Sequence, residues 1–164
     1  MRHLPRLLFI GFAGIALAAP VSGQRADDQI APKSVELQRQ GKALMAAGKL
    51  EEAEDVLETA LAVDPRNRWA FVDLARVAEK QRLFGKAIRM TNKALQLEPN
   101  DPDAIAVQGE AMVELGAVAR AQQNLQKLQT ICPKGCAQLT QLSTAISRGP
   151  SIAAAKAPDV PKKN

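Results

Sequence analysis

The chain repeats itself every 34 residues, and this period limits its fold more than any other feature. Pro65, Pro99 and Pro133 are spaced 34 apart, and so are Ala53, Ala87 and Ala121. The pairs Ala60-Leu61 and Ala94-Leu95 keep the interval. Gly41 and Gly109 lie two periods apart with the small Ala75 between them, and Gly48 and Gly116 form another such column. A unit of this size cannot bury its apolar face alone, so successive units must stack and cover one another.

Each unit divides into two helical stretches. Leu37, Gly41, Leu44 and Met45 recur at helical spacing until Gly48, and Leu50, Ala53, Val56, Leu57, Ala60 and Leu61 continue to Asp64-Pro65. The second stretch stops there because the residue before a proline avoids helical geometry. Small residues at Gly41 and Ala53 let the two backbones approach. In the third unit Asp101 precedes Pro102, which places a good N-cap next to a proline suited to the first helical turn. Composition agrees: apolar residues are 46% but aromatic ones only 3%, so the core is built from Ala, Leu, Val and Ile. Such a core suits close-packed helices better than a β-sandwich.

These columns resemble the tetratricopeptide repeat, a helix-turn-helix with small residues and a terminal proline at these intervals. The matching residues are Leu37, Gly41, Leu44, Ala53, Leu57 and Pro65, then Phe71, Leu74, Ala75, Ala78, Ala87 and Pro99, then Ile105, Gly109, Met112, Ala121, Leu125 and Pro133. The resemblance covers Ser34–Gly135 and implies an all-α fold, an α-solenoid of three units over 34–67, 68–101 and 102–135. Residues 136–148, with Leu139, Leu142 and Ile146 on one face, are expected to form a capping helix over the last exposed apolar surface. Gln40 and Gln108 replace an expected leucine and Thr91 a large apolar residue, which predicts looser packing there.

The resemblance also implies a protein-interaction module whose first helices line a concave groove. Carried over, the groove residues are Gln38, Lys42 and Met45, then Trp69, Val72, Arg76 and Glu79, then Asp103, Ala106, Glu110 and Val113. Their charges run from basic (Lys42, Arg76) to acidic (Asp103, Glu110, with Glu114 nearby), which predicts an extended peptide with its acidic end over units one and two. A family subtype grips a C-terminal carboxylate with Asn and basic residues; no Asn stands on these positions, so that activity is not carried over. Trp69 falls off the packing stripe, and either packs against the preceding unit's second helix or anchors a partner. The charged residues also fit a plain solvated helix face. The expected function is a non-catalytic adaptor or scaffold that binds a protein or peptide.

The ends of the chain are read separately. Residues 1–23 have Arg2 and Arg6, no acidic residue, and an apolar run from Leu7 to Ala19 that is short for a membrane span. Small residues at Val21-Ser22-Gly23 place signal-peptide cleavage between Gly23 and Gln24, so the protein is expected to be secreted or periplasmic, without a stable membrane anchor. An uncleaved anchor is the other reading. No nearby Cys marks a lipoprotein, and no Arg pair marks twin-arginine export. Residues 24–33 read as a linker, and 149–164 as a disordered Ala/Pro/Lys-rich tail. Cleavage lowers the net charge from +5 to +3, and Ser34–Arg148 holds 15 Lys/Arg against 14 Asp/Glu, so no nucleic-acid footprint is expected. The lone histidine, His3, leaves with the signal. Histidine-based triads, zinc sites and haem ligands are therefore not expected, and no catalytic residue, metal or cofactor is assigned.

Cys132 and Cys136, the two cysteines of the chain, bracket Pro-Lys-Gly between the last unit and the cap. In an exported chain they predict a disulfide pinning the cap to the solenoid. A thiol redox pair and a soft-metal site, for instance for Cu(I) with Met45, Met90 or Met112, are the alternatives.

Overall fold

The computed structural model describes residues 29–151. The segment read as a signal peptide, residues 24–28 of the linker and residues 152–164 lie outside the described residues. The helices are α1 (Pro32–Ala46), α2 (Leu50–Val63), α3 (Arg68–Lys80), α4 (Phe84–Leu97), α5 (Pro102–Glu114), α6 (Val118–Ile131) and α7 (Ala137–Arg148). They form three helix-turn-helix pairs and a closing helix, an all-α solenoid. α1, α3, α5 and α7 touch in succession as an inner layer, while α2, α4 and α6 stand outside it. The first helix starts at Pro32 rather than Ser34, because a proline is well placed in a first turn.

The 34-residue period is also a hydrogen-bonding period. Asn67 caps α3 by accepting from the Ala70 N–H (3.3 Å), and Asp101 caps α5 by accepting from the Ala104 N–H (3.0 Å). Both caps are buried and also tie their helix to the preceding unit. Asn67 Nδ2 donates to Ser34 Oγ, which donates to the Ala60 carbonyl at 2.7 Å, and Arg68 pairs with Asp101. Asp64 accepts from the Ala31 N–H at 2.8 Å; hydrogen bonds from Arg66 hold its carboxyl well below the usual range.

Two glycines mark where helices come closest. A Cβ on Gly41 would lie 2.5 Å from Leu57 Cγ, and one on Gly109 would lie 2.6 Å from Leu142 Cδ1 of the closing helix. Each fully buried leucine therefore fills the space of a missing side chain. The turn column behaves differently. Gly48 and Gly116 both have φ 77°, and Arg82, the middle member of that column, is held at φ 63°. Left-handed geometry costs a non-glycine residue about 1–2 kcal/mol. Arg82→Gly is therefore expected to raise stability by about 0.5–1 kcal/mol after the extra backbone entropy of glycine is subtracted. A urea midpoint that fails to rise would show that this turn stores no strain.

The substituted core positions are not loose. Gln108 is buried with its amide satisfied on both sides: Nε2 donates to Asn92 Oδ1 (2.7 Å), and Asn124 Nδ2 donates to its Oε1 (3.1 Å). Thr91 is buried too, its hydroxyl donating to the Ala87 and Ile88 carbonyls at 3.0 Å. Gln40 is exposed, so its position asks for no apolar side chain.

Candidate functional site

The exposed edge of the inner layer carries a ladder of polar contacts between successive helices. Gln38 of α1 donates to Asp73 of α3. Arg76 of α3 reaches Asp73 at 3.4 Å and Asp103 of α5 at 2.6 Å. Gln138 and Gln141 of α7 donate to Asp103 (3.2 Å) and Glu110 (2.9 Å), and Arg148 pairs with Glu114 at 3.2 Å. The ladder follows from period and pitch together: residues about 34 apart occupy the same place on adjacent inner helices, within reach of one another.

Toward the α7 end the ladder opens into a cavity of about 310 Å³ lined by Glu79, Arg82, Phe84, Glu110, Glu114, Arg148 and Ser151. Three carboxyls from α3 and α5 meet there. Burial, reinforced by the charges of Glu110 and Glu114 and opposed by Arg76, pushes Glu79 up to about 8. Burial also raises Glu110, against the Gln141 hydrogen bond, and it raises Asp73. Glu114 is lowered instead: burial acts upward, but hydrogen bonds from Ser151 and Arg148 outweigh it. Among the described residues neither Glu79 nor Glu110 is in an ion pair, and no group of three His, Cys, Asp or Glu side chains is arranged to hold a metal ion. No helix among the described residues is long and apolar enough to cross a membrane.

The structure redistributes the residues chosen from the sequence. Gln38, Arg76 and Asp103 form the ladder, and Glu79 and Glu110 line the cavity. Lys42 is exposed on α1. Met45 (9% exposed), Val72 (3%), Ala106 (1%) and Val113 (0%) are core residues, not groove contacts. The inner helices pack tightly enough that these positions are covered by the neighbouring unit. Of the two basic residues of the expected groove, Arg76 is held by Asp73 and Asp103, while Lys42 is in no ion pair among the described residues. Trp69 is 46% exposed, with the Arg68 guanidinium 4.2 Å from its ring centroid.

Sequence reasoning missed Asp73, Arg82, Phe84 and the α7 contributors Gln138, Gln141, Arg148 and Ser151. The available signal was that a capping helix stacked in register is itself an inner-layer helix, whose polar residues must face the same groove. Cys132 and Cys136 have Cα atoms 5.8 Å apart, within the span of a disulfide. Met45 and Met90 sit in the core of the first two pairs, away from that turn.

Comparison with known proteins places this architecture. The family model described as "Tetratricopeptide repeat" matches residues 44–108. Among similar solved structures is the TPR2B domain of yeast Sti1 in a complex with pHsp70, 21% identical with a TM-score of 0.66, covering 72% of this chain and 98% of that one. Another is the second TPR domain of human RPAP3 in complex with the HSP70 peptide SGPTIEEVD, 22% identical with a TM-score of 0.63, covering 69% and 94%. The Arabidopsis OM64 TPR domain is 15% identical with a TM-score of 0.65, covering 71% and 95%. No match was found among curated proteins.

Proposed function

We propose that this chain is a non-catalytic adaptor of the tetratricopeptide-repeat type whose inner face holds an extended peptide bearing basic side chains. The fold is generally an interaction module, and the similar domains include ones in complex with peptides. The observation that carries the charge preference is the cavity, where three carboxyls meet and neither Glu79 nor Glu110 is in an ion pair with Arg82 or Arg148, which line it too. An ammonium or guanidinium group placed there would favour the charged form of Glu79 and ion-pair with it and with Glu110. The HSP70 peptide of the RPAP3 complex carries three carboxyl side chains; here the inner wall itself supplies the carboxylates, so the expected ligand has the opposite sign.

Calorimetric titration of the protein with a lysine-bearing peptide, its glutamine analogue and its glutamate analogue tests this reading. The lysine peptide is expected to bind with a micromolar Kd that weakens with salt, and Glu110→Lys to cost at least tenfold. Trp69→Ala is expected to weaken binding several-fold while lowering stability by less than about 1 kcal/mol, because the ring is half exposed. Equal binding of the glutamate analogue would overturn the charge preference.

The N-terminal segment supports action outside the cytoplasm, in the cell envelope or beyond it. There the cysteine pair would be a disulfide joining the end of α6 to the start of α7, closing a short loop worth about 2 kcal/mol in the chain-entropy view. Two thiols that alkylate without prior reduction would refute the disulfide.

A further inference from the structure

We propose that two copies of this chain pair through their outer helices, α2 of each lying along the groove between α4 and α6 of the other. Both inner faces then stay open and point away from each other.

The near-neutral charge of the helical region hides a division between its outer helices. α2 carries Glu51, Glu52, Glu54, Asp55 and Glu58 and no basic residue. α4 carries Lys86, Arg89 and Lys93, and α6 carries Arg120 and Lys127, with no acidic residue on either. Contacts within the chain use only part of this charge. Lys49 pairs with Glu52 at 3.1 Å, and Lys86, at the seam between α2 and α4, holds Glu54 and lies 3.7 Å from Glu58. Glu51 and Asp55 are exposed and in no ion pair among the described residues, and the same holds for Arg89, Lys93, Arg120 and Lys127. The Lys127 ammonium donates to the Pro99 carbonyl, a neutral partner that leaves its charge unmatched. At the rims, the exposed Arg82 and Lys134 add to the basic side, and the exposed Glu98 takes one charge from it.

The two strips match in spacing. Glu51, Asp55 and Glu58 follow one another at four and three residues, so they form one stripe along α2. Glu51 and Glu58 are seven residues apart, as are Arg120 and Lys127, and each row spans about 10.5 Å. Residues one or two periods apart stand at about the same height on neighbouring outer helices. Asp55 is therefore level with Arg89, one period on, while Glu51 and Glu58 are level with Arg120 and Lys127 to within a residue. A two-fold axis parallel to the helices keeps these heights and exchanges the two ends of the outer layer. It brings Glu51 to Arg120, Asp55 to Arg89 and Glu58 to Lys127, each pair twice, as a closed two-fold dimer requires. A two-fold axis across the helices would instead lay α2 on α2 and set like charges together.

Area fixes how tight the pair can be. Each of these helices has 14 residues. A helix of that length in a groove makes a contact about 21 Å long and about 10 Å wide. Two such contacts cover roughly 400 Å² per copy, about half of what a standard interface buries on each partner. The dimer is therefore weak and salt-sensitive, and it gives a partner with two target segments two inner faces to engage at once.

The test is sedimentation equilibrium of the protein at low salt, where monomer and dimer are expected to exchange with a Kd near about 0.1 mM. Association should weaken at least tenfold in about 0.5 M salt. One variant combines Arg89→Glu, Arg120→Glu and Lys127→Glu, and the other combines Glu51→Lys, Asp55→Lys and Glu58→Lys. All of these residues are exposed, and an unchanged Tm verifies that the fold persists. Each variant alone has one sign on both strips and is expected to stay monomeric, while an equimolar mixture is expected to recover the dimer. A mixture that stays monomeric overturns the proposal, and so does either variant dimerising alone or a mass that climbs past two copies. Should a triple variant lose its Tm, Arg120→Glu and Glu51→Lys repeat the comparison with one reversal each. Unaltered protein that stays monomeric at about 1 mM but sediments with phosphatidylglycerol vesicles would assign the basic strip to an anionic lipid surface and overturn the dimer.

Discussion

Leu142→Ala is expected to lower the unfolding free energy by about 2–5 kcal/mol. Leu142 is fully buried among Ile105, Ala106, Val113, Ala121 and Leu128, and it lies over Gly109, where there is no side chain to relax into the hole. The loss is expected to be local first. In a stacked array each unit is stabilised through its neighbours, so amide exchange should accelerate in α6 and α7 before it does in α1 to α4. Gly109 provides the control. Gly109→Ala alone forces a methyl to within 2.6 Å of Leu142 Cδ1 and is expected to cost about 1–3 kcal/mol. In the Leu142→Ala background the same methyl enters the vacated space. The double variant should therefore be more stable than the sum of the two single losses predicts, by at least about 1 kcal/mol. Urea unfolding of the four proteins measures this, and strict additivity would mean that the two residues do not share one space.

Glu79→Gln is expected to stabilise the protein at pH 8 and leave it unchanged below pH 4.5. The sign follows from proton counting. Burial, with Glu110 and Glu114 adding to it and Arg76 opposing it, raises Glu79 from 4.5 to about 8 in the folded state. Below pH 4.5 both folded and unfolded chains hold this proton, and the group contributes no pH dependence. Between about 4.5 and 8 the unfolded chain has lost it while the folded chain retains it, so stability falls as pH rises and levels off above 8. Glutamine removes this slope. The expected gain at pH 8 is on the order of 2 kcal/mol, below the full linkage value because the cavity is open to water. Glu110 and Asp73 are raised by burial and slope in the same direction, while Asp64 is lowered and slopes oppositely at acid pH. A difference between Glu79→Gln and the unaltered chain that stays constant from pH 4.5 to 8 would show that Glu79 ionises normally in the fold. The same linkage gives the binding reading a signature. A lysine bound against Glu79 stabilises its charged form, so proton release on binding should be greatest between pH 6 and 8.

How legible the fold was depends on what kind of information each residue carries. Pro65, Pro99 and Pro133 stop helices through their own backbone geometry, and Gly41, Ala75 and Gly109 permit close approach through their own size. These are local properties repeated at a fixed interval, so the helices and their stacking could be read from the chain alone. Arg82 shows the limit. Its column is glycine in the other two units, but that the backbone holds φ 63° there even with an arginine appears only in the fold.

The candidate site was legible only by halves. The period placed Gln38, Arg76, Glu79, Asp103 and Glu110 on the inner layer, because a residue's place on a repeated helix is a matter of counting. Counting could not tell that Val72, Ala106 and Val113 are covered, since burial depends on how closely the next helix lies. Nor could it tell that Arg76 is held by carboxylates on two helices. The sequence by itself determined a three-unit helical solenoid with a closing helix, because repeated steric rules act residue by residue. The tertiary structure alone decided which charges neutralise one another and which stay unpaired at the cavity, because ion pairing and burial are set by distances between helices, and those distances exist only once the stack has formed.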